Sequence, residues 1–420
     1  MVESASIDLL NLLLVLTLAW FGGILAERVG YPALMGELLA GILFGPAVLG
    51  VLHPSEGLEV FAELGVFLLM IYVGMEVDLH DLFELGPQSL MVALGGFLVP
   101  FGMGYLVGDL LGMTIEQSLF IGIAMAATSL ATKSRILVDL DLLDTRIAGV
   151  LLGGALLSDV GVMVVFAGIT GFIETGDVTP LAIATLTGEA LLYFAAALLF
   201  GDRVLPHLWE LLEGWMERHE FVDKTSAFTV ALVVALAFAF FAALVELHMI
   251  IGGFIAGLFL RQAQLDPDIY DHMYGVIYDL AMGFFAPIFF VSVAFDLTLG
   301  VFTENLPLLV LILTVAFVSK IVGSWLFALP TKLSWREGLV IGFGMNGRGT
   351  VEIVIVSIAL SAGVIGQELF SILVFTAIFT TTLVPPTVKW GVDWLERAGD
   401  LVFIDAEPAD AEGPVGPEAD

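Results

Sequence analysis

The chain has no cysteine in 420 residues. Disulfides, thiolate metal sites and cysteine nucleophiles are thereby excluded. Basic residues are scarce too: 14 Lys and Arg stand against 45 Asp and Glu, a formal net charge of −31. Such a polyanion has little with which to neutralise phosphates, so nucleic acid is not an expected partner. Charged residues of both signs make up only 14% of the chain, hydrophobic ones 59%, and mean hydropathy is +1.01. That balance belongs to polytopic membrane proteins, not to large soluble enzymes. The first apolar run, 7–26, lacks a basic leader and a small-residue cleavage site, so it reads as a span and not as a removable signal peptide. The excess negative charge must crowd the loops and the tail from Asp405 to Asp420. Acid-rich, lysine-poor loops suit high salt, where screening weakens repulsion between like charges. Residues 401–420, acidic and rich in Pro, Gly and Ala, read as a solvated disordered tail.

A bilayer crossing needs about 20 predominantly apolar residues. Thirteen windows qualify: 7–26, 33–51, 61–78, 88–110, 118–138, 147–171, 181–201, 226–246, 249–263, 275–297, 307–329, 337–361 and 369–394. Loop charge tests the count. Arg28, Arg146, Arg203, Arg218, Lys224, Arg261, Lys332, Arg336 and Arg397 all follow or close odd-numbered spans, and no Lys or Arg lies in a loop after an even one. The positive-inside rule then puts the N-terminus outside and the C-terminus in the cytoplasm.

The chain also resembles itself. Gly36-Glu37-Leu38-Leu39-Ala40-Gly41-Ile42 in span 2 and Gly252-Gly253-Phe254-Ile255-Ala256-Gly257-Leu258 in span 9 share a pattern. So do Val73-Gly74-Met75-Glu76-Val77-Asp78-Leu79 at the end of span 3 and Val293-Ala294-Phe295-Asp296-Leu297-Thr298-Leu299 at the end of span 10. An offset of seven spans, an odd number, makes the copies antiparallel. The expected fold is an all-α membrane protein of two inverted six-helix repeats, about 7–171 and 226–394, joined by a linker helix at 181–201 within a transmembrane domain over 1–400. Secondary transporters that alternate access around a midplane site have this design. Small-residue patterns also recur in ordinary helix-packing faces, which is the competing explanation.

Asp159 lies about twelve residues into span 6, within Leu151-Leu152-Gly153-Gly154-Ala155-Leu156-Leu157-Ser158-Asp159-Val160, near mid-membrane. A charge there costs at least ~2.5–3.5 kcal/mol and usually marks an ion pathway or proton relay. Spans 5 and 12, equivalent under the repeat, both carry polar or helix-weakening sequence at that depth. Span 5 has Ala127-Thr128-Ser129-Leu130-Ala131-Thr132-Lys133-Ser134-Arg135, and span 12 has Gly342-Phe343-Gly344-Met345-Asn346-Gly347-Arg348-Gly349. Four glycines in eight residues predict an interrupted helix; span 5, with hydroxyls and no glycine, is open between a break and a regular helix. The expected interruption residues are Ser129, Thr132, Gly344, Asn346, Gly347 and Gly349. Gly342-x-Gly344-x-x-Gly347 matches a dinucleotide fingerprint by spacing, but no strand or βαβ unit surrounds it. Thr128, Asp159, Lys320 and Arg348 fall at similar depth. A desolvated carboxylate at Asp159 would bind a proton or an alkali cation but not both, with Ser158 and Thr128 as neutral oxygen ligands; backbone-satisfied hydroxyls are the bland alternative. Lys320 and Arg348 would otherwise be unpaired buried cations, so a nearby carboxylate or helix carbonyl ends are needed to hold them: Lys320 is a candidate partner for Asp159, and Glu352, four residues past Arg348, a candidate intrahelical partner for it. Glu189 in span 7 has no evident partner, and the six histidines lie mainly at span ends.

Taken together, Gly36-Glu37-Leu38-Leu39-Ala40-Gly41-Ile42-Leu43-Phe44-Gly45-Pro46, Val73 to Leu79, Ala127-Thr128-Ser129, Leu142-Leu143-Asp144-Thr145, Pro287-Ile288-Phe289-Phe290-Val291-Ser292-Val293 and Asn346-Gly347-Arg348-Gly349-Thr350-Val351-Glu352 make the chain resemble the monovalent cation:proton antiporter superfamily, in its second, Kef/Nap/plant exchanger-like branch. The resemblance spans nearly the whole chain. It implies a thirteen-helix exchanger with a dimerisation domain and a moving core, in which spans 5 and 12 are broken and cross near the ion site. It carries the transport aspartate to Asp159, the threonine beside the unwound segment to Thr128 and the core lysine to Lys320. Where relatives have Asp, Asn or Gln before the aspartate, this chain has Ser158, and Lys133 is a further departure within the span 5 motif. No nucleotide-binding domain follows span 13, so the ligand gating of some relatives is not expected. The expectation is an antiporter of Na⁺ or K⁺ against H⁺ in the cytoplasmic membrane, with Asp159 as the alkali-cation ligand. It would be a homodimer in the lipid bilayer, without cofactor or enzymatic activity. A sodium-coupled solute symporter of the same architecture and a cation channel are the alternatives.

Overall fold

The computed structural model describes residues 8–77, 86–140, 142–143, 145–175, 188, 192, 224–244, 247–262 and 267–403. Its elements are α1 (Leu9–Arg28), α2 (Ala33–Phe44), α3 (Glu56–Glu76), α4 (Pro87–Leu110), α5 (Ile115–Ala126), α6 (Leu130–Asp139), α7 (Arg146–Thr175), α8 (Lys224–Leu244), α9 (Met249–Gln262), α10 (Pro267–Leu280), α11 (Ala286–Phe295), α12 (Leu306–Ala328), α13 (Trp335–Gly344), α14 (Thr350–Ser361) and α15 (Gln367–Ala398). Among the described residues there is no strand, only an isolated bridge between Thr145 and Phe403. Twelve of the thirteen expected spans fall on these helices. Span 7 apart from residues 188 and 192, Glu189 with it, and the tail beyond Phe403 lie outside the described residues.

Three spans are interrupted. Span 12 is split into α13 and α14, as its glycine-rich sequence suggested, and span 5, which its composition left open, is split into α5 and α6, as the resemblance implied. Span 10 was expected to be continuous, but a π-turn, Ala281–Phe285, separates α10 from α11. Pro287 explains it: the ring has no N–H for the carbonyl of Gly283 and would clash with it in a regular helix.

The packing obeys the exchange of halves that an inverted repeat requires. α2 lies against α11 and α9 against α3, the same pairing with the repeats swapped, and α1 lies on α2 as α8 lies on α9. α4 packs on α5 as α12 packs on α13. Both broken spans start with the same device. Thr114 and Gln117 form a capping box at α5, and Ser334 and Glu337 form one at α13, each satisfying two otherwise orphaned amides. At the centre α4 crosses α12 with Gly95 facing Gly323; a Cβ on either would collide with the other's carbonyl oxygen. Large apolar side chains such as Phe120, Phe166, Phe254, Phe290 and Phe370 fill one continuous core around the two crossing spans.

Candidate ion site at the helix crossing

The interruptions put backbone where a bilayer-spanning helix would otherwise hide it. Residues 127–129 link α5 to α6, and residues 345–349 link α13 to α14. The two segments bind each other. The Ser129 amide donates to the Gly347 carbonyl at 3.0 Å, and Thr128 Oγ1 donates to the carbonyls of Met345 at 3.2 Å and Gly347 at 3.1 Å. Asn346 turns inward and donates to Gly342 O at 3.1 Å. Gly344 ends α13 pressed on Leu151, where a Cβ would clash, and Gly349 caps α14. Of Thr132, only its place in the α6 backbone is described.

A helix leaves its last carbonyls unpaired and carries partial negative charge at that end. At α5 two buried cations meet this need. Arg348 donates through Nη1 to Ala124 O and through Nη2 to Met125 O, the latter at 3.2 Å. Lys320 Nζ donates to Ala126 O and, at 3.1 Å, to Ala127 O. Arg348 also pairs with Glu352 at 2.9 Å, the intrahelical pair suggested by their spacing. The other suggested pair does not form: among the described residues Lys320 has no ion pair with Asp159. The oriented carbonyls at the end of α5 hold its ammonium instead.

Asp159 on α7 is 5% exposed and faces the amide of Leu130 in the first turn of α6, the end of a helix that favours an anion. Its Oδ1 has no hydrogen-bond partner, and neither has the adjoining Ser158 Oγ. Thr128, Lys133, Lys320, Asn346, Arg348 and Glu352 are all buried around the same crossing. Asp159 interacts electrostatically first with Lys133, then with Lys320, then with Glu76. Glu76 closes α3 and accepts hydrogen bonds from Tyr72 and Tyr274. No cluster of three His, Asp or Glu that could grip a metal occurs among the described residues. An alkali ion needs no such cluster, since one carboxylate with hydroxyl and carbonyl oxygens suffices.

Two features were not drawn from the sequence. Lys133 Nζ sits inside the cradle, donating to Thr128 Oγ1 and, at 3.0 Å, to Ser129 O, where the sequence marked it only as a departure within the span 5 motif. Arg146, at the start of α7, grips the wholly buried Glu337 at the start of α13 with Nη2 at 2.6 Å from both carboxylate oxygens. Ser334-x-x-Glu337 is a capping-box signature, so part of the second signal was present in the sequence.

The chain is similar to the Na⁺/H⁺-K⁺ antiporter GerN of Bacillus cereus, 31% identical over 377 residues that cover 90% of this chain and 94% of that protein. It is also similar to a Na⁺/H⁺ antiporter of Enterococcus hirae, 29% identical over 379 residues covering 90% and 96%. The sodium proton antiporter MjNhaP1 of Methanocaldococcus jannaschii, solved at pH 8, shares the fold with a TM-score of 0.66 at 18% identity, covering 92% of this chain and 96% of that one. The family profile described as "Sodium/hydrogen exchanger, transmembrane" matches residues 13–394. With that match running from α1 into α15 over the crossed, interrupted spans, the chain belongs to the sodium/hydrogen exchanger family of membrane transporters.

Proposed function

We propose that the protein is a secondary-active antiporter that exchanges Na⁺ or K⁺ for H⁺ by alternating access, with the two ions competing for the Asp159 carboxylate. One observation carries the reading: Asp159 Oδ1 is buried at the crossing of the interrupted spans and lacks a hydrogen-bond partner. A buried polar group in that condition costs roughly 1–3 kcal/mol, and more when charged, until a proton or a cation meets it. Ser158 Oγ and Thr128 Oγ1 complete the ligand set, and Lys320, Arg348 and Glu352 hold the interrupted ends in place. The names of the relatives, a Na⁺/H⁺-K⁺ antiporter and a Na⁺/H⁺ antiporter, agree with exchange of Na⁺ against H⁺.

On this reading, access from one side begins in a cavity at the far end of α14. The cavity, of about 750 Å³, is lined by Glu59 and Glu63 near the start of α3, His248 before α9, Asp296 after α11 and Ser357 on α14. It runs along α14 to Val354, two residues past Glu352. Loop charge assigns that face to the outside, with the N-terminus outside and the C-terminus cytoplasmic. We place the working unit as a homodimer in the cytoplasmic membrane.

Proteoliposomes holding an imposed pH gradient test the reading. Addition of Na⁺ or K⁺ dissipates the gradient with the native protein and not with Asp159→Asn. An Asp159→Asn protein that exchanges at the native rate refutes it.

A further inference from the structure

Lys133 is wholly buried, yet it joins no ion pair within contact distance among the described residues. Its ammonium instead lies on Thr128 Oγ1 and the Ser129 carbonyl, 3.0 Å from the latter, and is the charge that Asp159 feels most. The two it touches, a hydroxyl and a backbone carbonyl from the interruption, are oxygens that an alkali ion beside the Asp159 carboxylate would use. An ammonium and an alkali ion carry the same charge and ask for the same surroundings, several oxygens at close range. Both cannot occupy one such place, because two like charges side by side in a low-dielectric site repel strongly. The remaining charged groups of the crossing do not relieve the conflict. Lys320 and Arg348 add positive charge, Glu352 is bound to Arg348, and Glu76 is held by two tyrosines.

We infer that Lys133 is a tethered competitor of the transported cation: its ammonium occupies the oxygens of Thr128 and Ser129 in the field of Asp159, and the ion enters only when that ammonium withdraws. This rests on the reading of Asp159 as the ion's carboxylate and adds to it a resident cation that sets apparent affinity. It also explains how an acid group this deeply buried is tolerated between ions, since the lysine stands in for the absent cargo. The α6 helix suits the task. Its Lys133 side chain starts one turn beyond Ser129 and carries the ammonium on a flexible four-carbon stem, so the withdrawal this inference requires is a side-chain movement.

The effect on binding follows from occupancy. If the ammonium fills the cradle for nine-tenths of the time, the cation's apparent affinity is lowered about tenfold, and removing the ammonium restores it. Purified Lys133→Gln and Lys133→Ala proteins are compared with the native one by Na⁺-dependent thermal stabilisation and by the Na⁺ concentration giving half-maximal exchange in proteoliposomes. Both variants are expected to need about tenfold less Na⁺ in each assay. The first assay reads affinity even where a variant transports slowly. Methylammonium supplies the missing group from solution. It is expected to raise the Na⁺ requirement of Lys133→Ala toward the native value and to have little effect on the native protein, whose cradle already holds an ammonium.

An unchanged or higher Na⁺ requirement in Lys133→Ala and Lys133→Gln, with methylammonium inert, overturns the inference. Should either variant fail to fold, Lys133→Arg decides. A guanidinium that fills the same space and keeps its charge must weaken Na⁺ stabilisation or leave it at the native level, so tighter Na⁺ binding by Lys133→Arg overturns the inference as well. Asp159→Asn separates the two claims. If it abolishes exchange while the Lys133 variants bind Na⁺ as the native protein does, only the competitor role fails; if it exchanges normally, the proposed function fails whatever Lys133 does.

Discussion

Replacing Arg146 by methionine should destabilise the protein more than replacing its partner Glu337 by glutamine, although both changes break one ion pair. The asymmetry comes from where each charge sits. The Glu337 side chain is 0% exposed and the Arg146 side chain 31%. Arg146 contributes Nη2 at 2.6 Å to both carboxylate oxygens and Nε at 3.0 Å to Oε1, and the Ser334 amide adds a donor at 2.8 Å to Oε2. Arg146→Met leaves a buried carboxylate with that single amide. Stranding one member of a buried pair costs about 3–5 kcal/mol. Because a third of the arginine reaches water, solvent can partly follow into the gap, and about 2–3 kcal/mol is the expected loss. Glu337→Gln keeps a carbonyl oxygen for the Ser334 amide and frees a guanidinium that water can hydrate, so about 1 kcal/mol is expected. The double variant has no orphaned charge and should recover most of the difference. Thermal inactivation in detergent, followed by the monodisperse fraction on size-exclusion chromatography, gives the order without assuming reversible unfolding. Arg146→Met must be the least stable, with Glu337→Gln and the double variant close together above it. Equal loss in the two single variants, or a double variant worse than Arg146→Met, refutes the reasoning.

Other substitutions probe the same framework. Lys320→Met removes the donor to the carbonyls of Ala126 and Ala127 and should cost about 2–4 kcal/mol, roughly 1–2 for each orphaned oxygen, while Lys320→Gln, a neutral donor, recovers part of it. Were Lys320 instead the counter-ion of Asp159, Gln and Met would be equally harmful in thermal melts and Asp159→Asn would rescue both. Gly95→Ala and Gly323→Ala each place a methyl against the facing backbone, so each should lose about 1–3 kcal/mol, and the double variant should lose less than the sum because one separation of α4 from α12 accommodates both. His248, in the link before α9, has its imidazole pushed below the usual histidine range by burial, and Nδ1 accepts from the Ile250 amide at 3.4 Å, a contact that favours the neutral ring. The unfolded chain takes up that proton near pH ~6.5 and the folded chain resists it, so His248 contributes stability above that pH and loses it as the pH falls. His248→Gln should shrink the drop in melting temperature between about pH 7.5 and 5.5; an unchanged drop removes His248 from the account.

What could be read from the sequence follows from how far each interaction reaches along the chain. The spans were legible because the bilayer imposes a length of apolar sequence, and loop charge checked their number independently. The α13–α14 interruption was legible because Gly342, Gly344, Gly347 and Gly349 weaken a helix wherever it lies. The α5–α6 interruption was not decided by composition: Thr128 and Ser129 are compatible with a regular helix, and what holds them out of one is Gly347, 218 positions from Ser129 and 219 from Thr128 along the chain. The π-turn at Ala281–Phe285 was missed because Pro287 was read as an ordinary member of an apolar span.

The partners of the buried cations were the least legible of all, and the reason bears on the chemistry. Charge alone pairs Lys320 with Asp159. Yet the break after Ala126 exposes a row of carbonyl oxygens that exist only because α5 stops there, and these engage Lys320 and Arg348 with fixed, directional acceptors. Helix carbonyl ends were one of the two ways open for holding these cations, but which carbonyls serve which cation depends on where α5 stops, and no side-chain list reveals that. The outcome separates two jobs that one lysine would otherwise combine. Helix ends are held by cations that stay put, and Asp159 keeps an oxygen unclaimed by them. Under the proposed function, a carboxylate locked in a permanent ion pair would have to break it in every cycle. One faced by a helix N-terminus and a lysine on a flexible stem would, on the same proposal, have only to exchange one small cation for another.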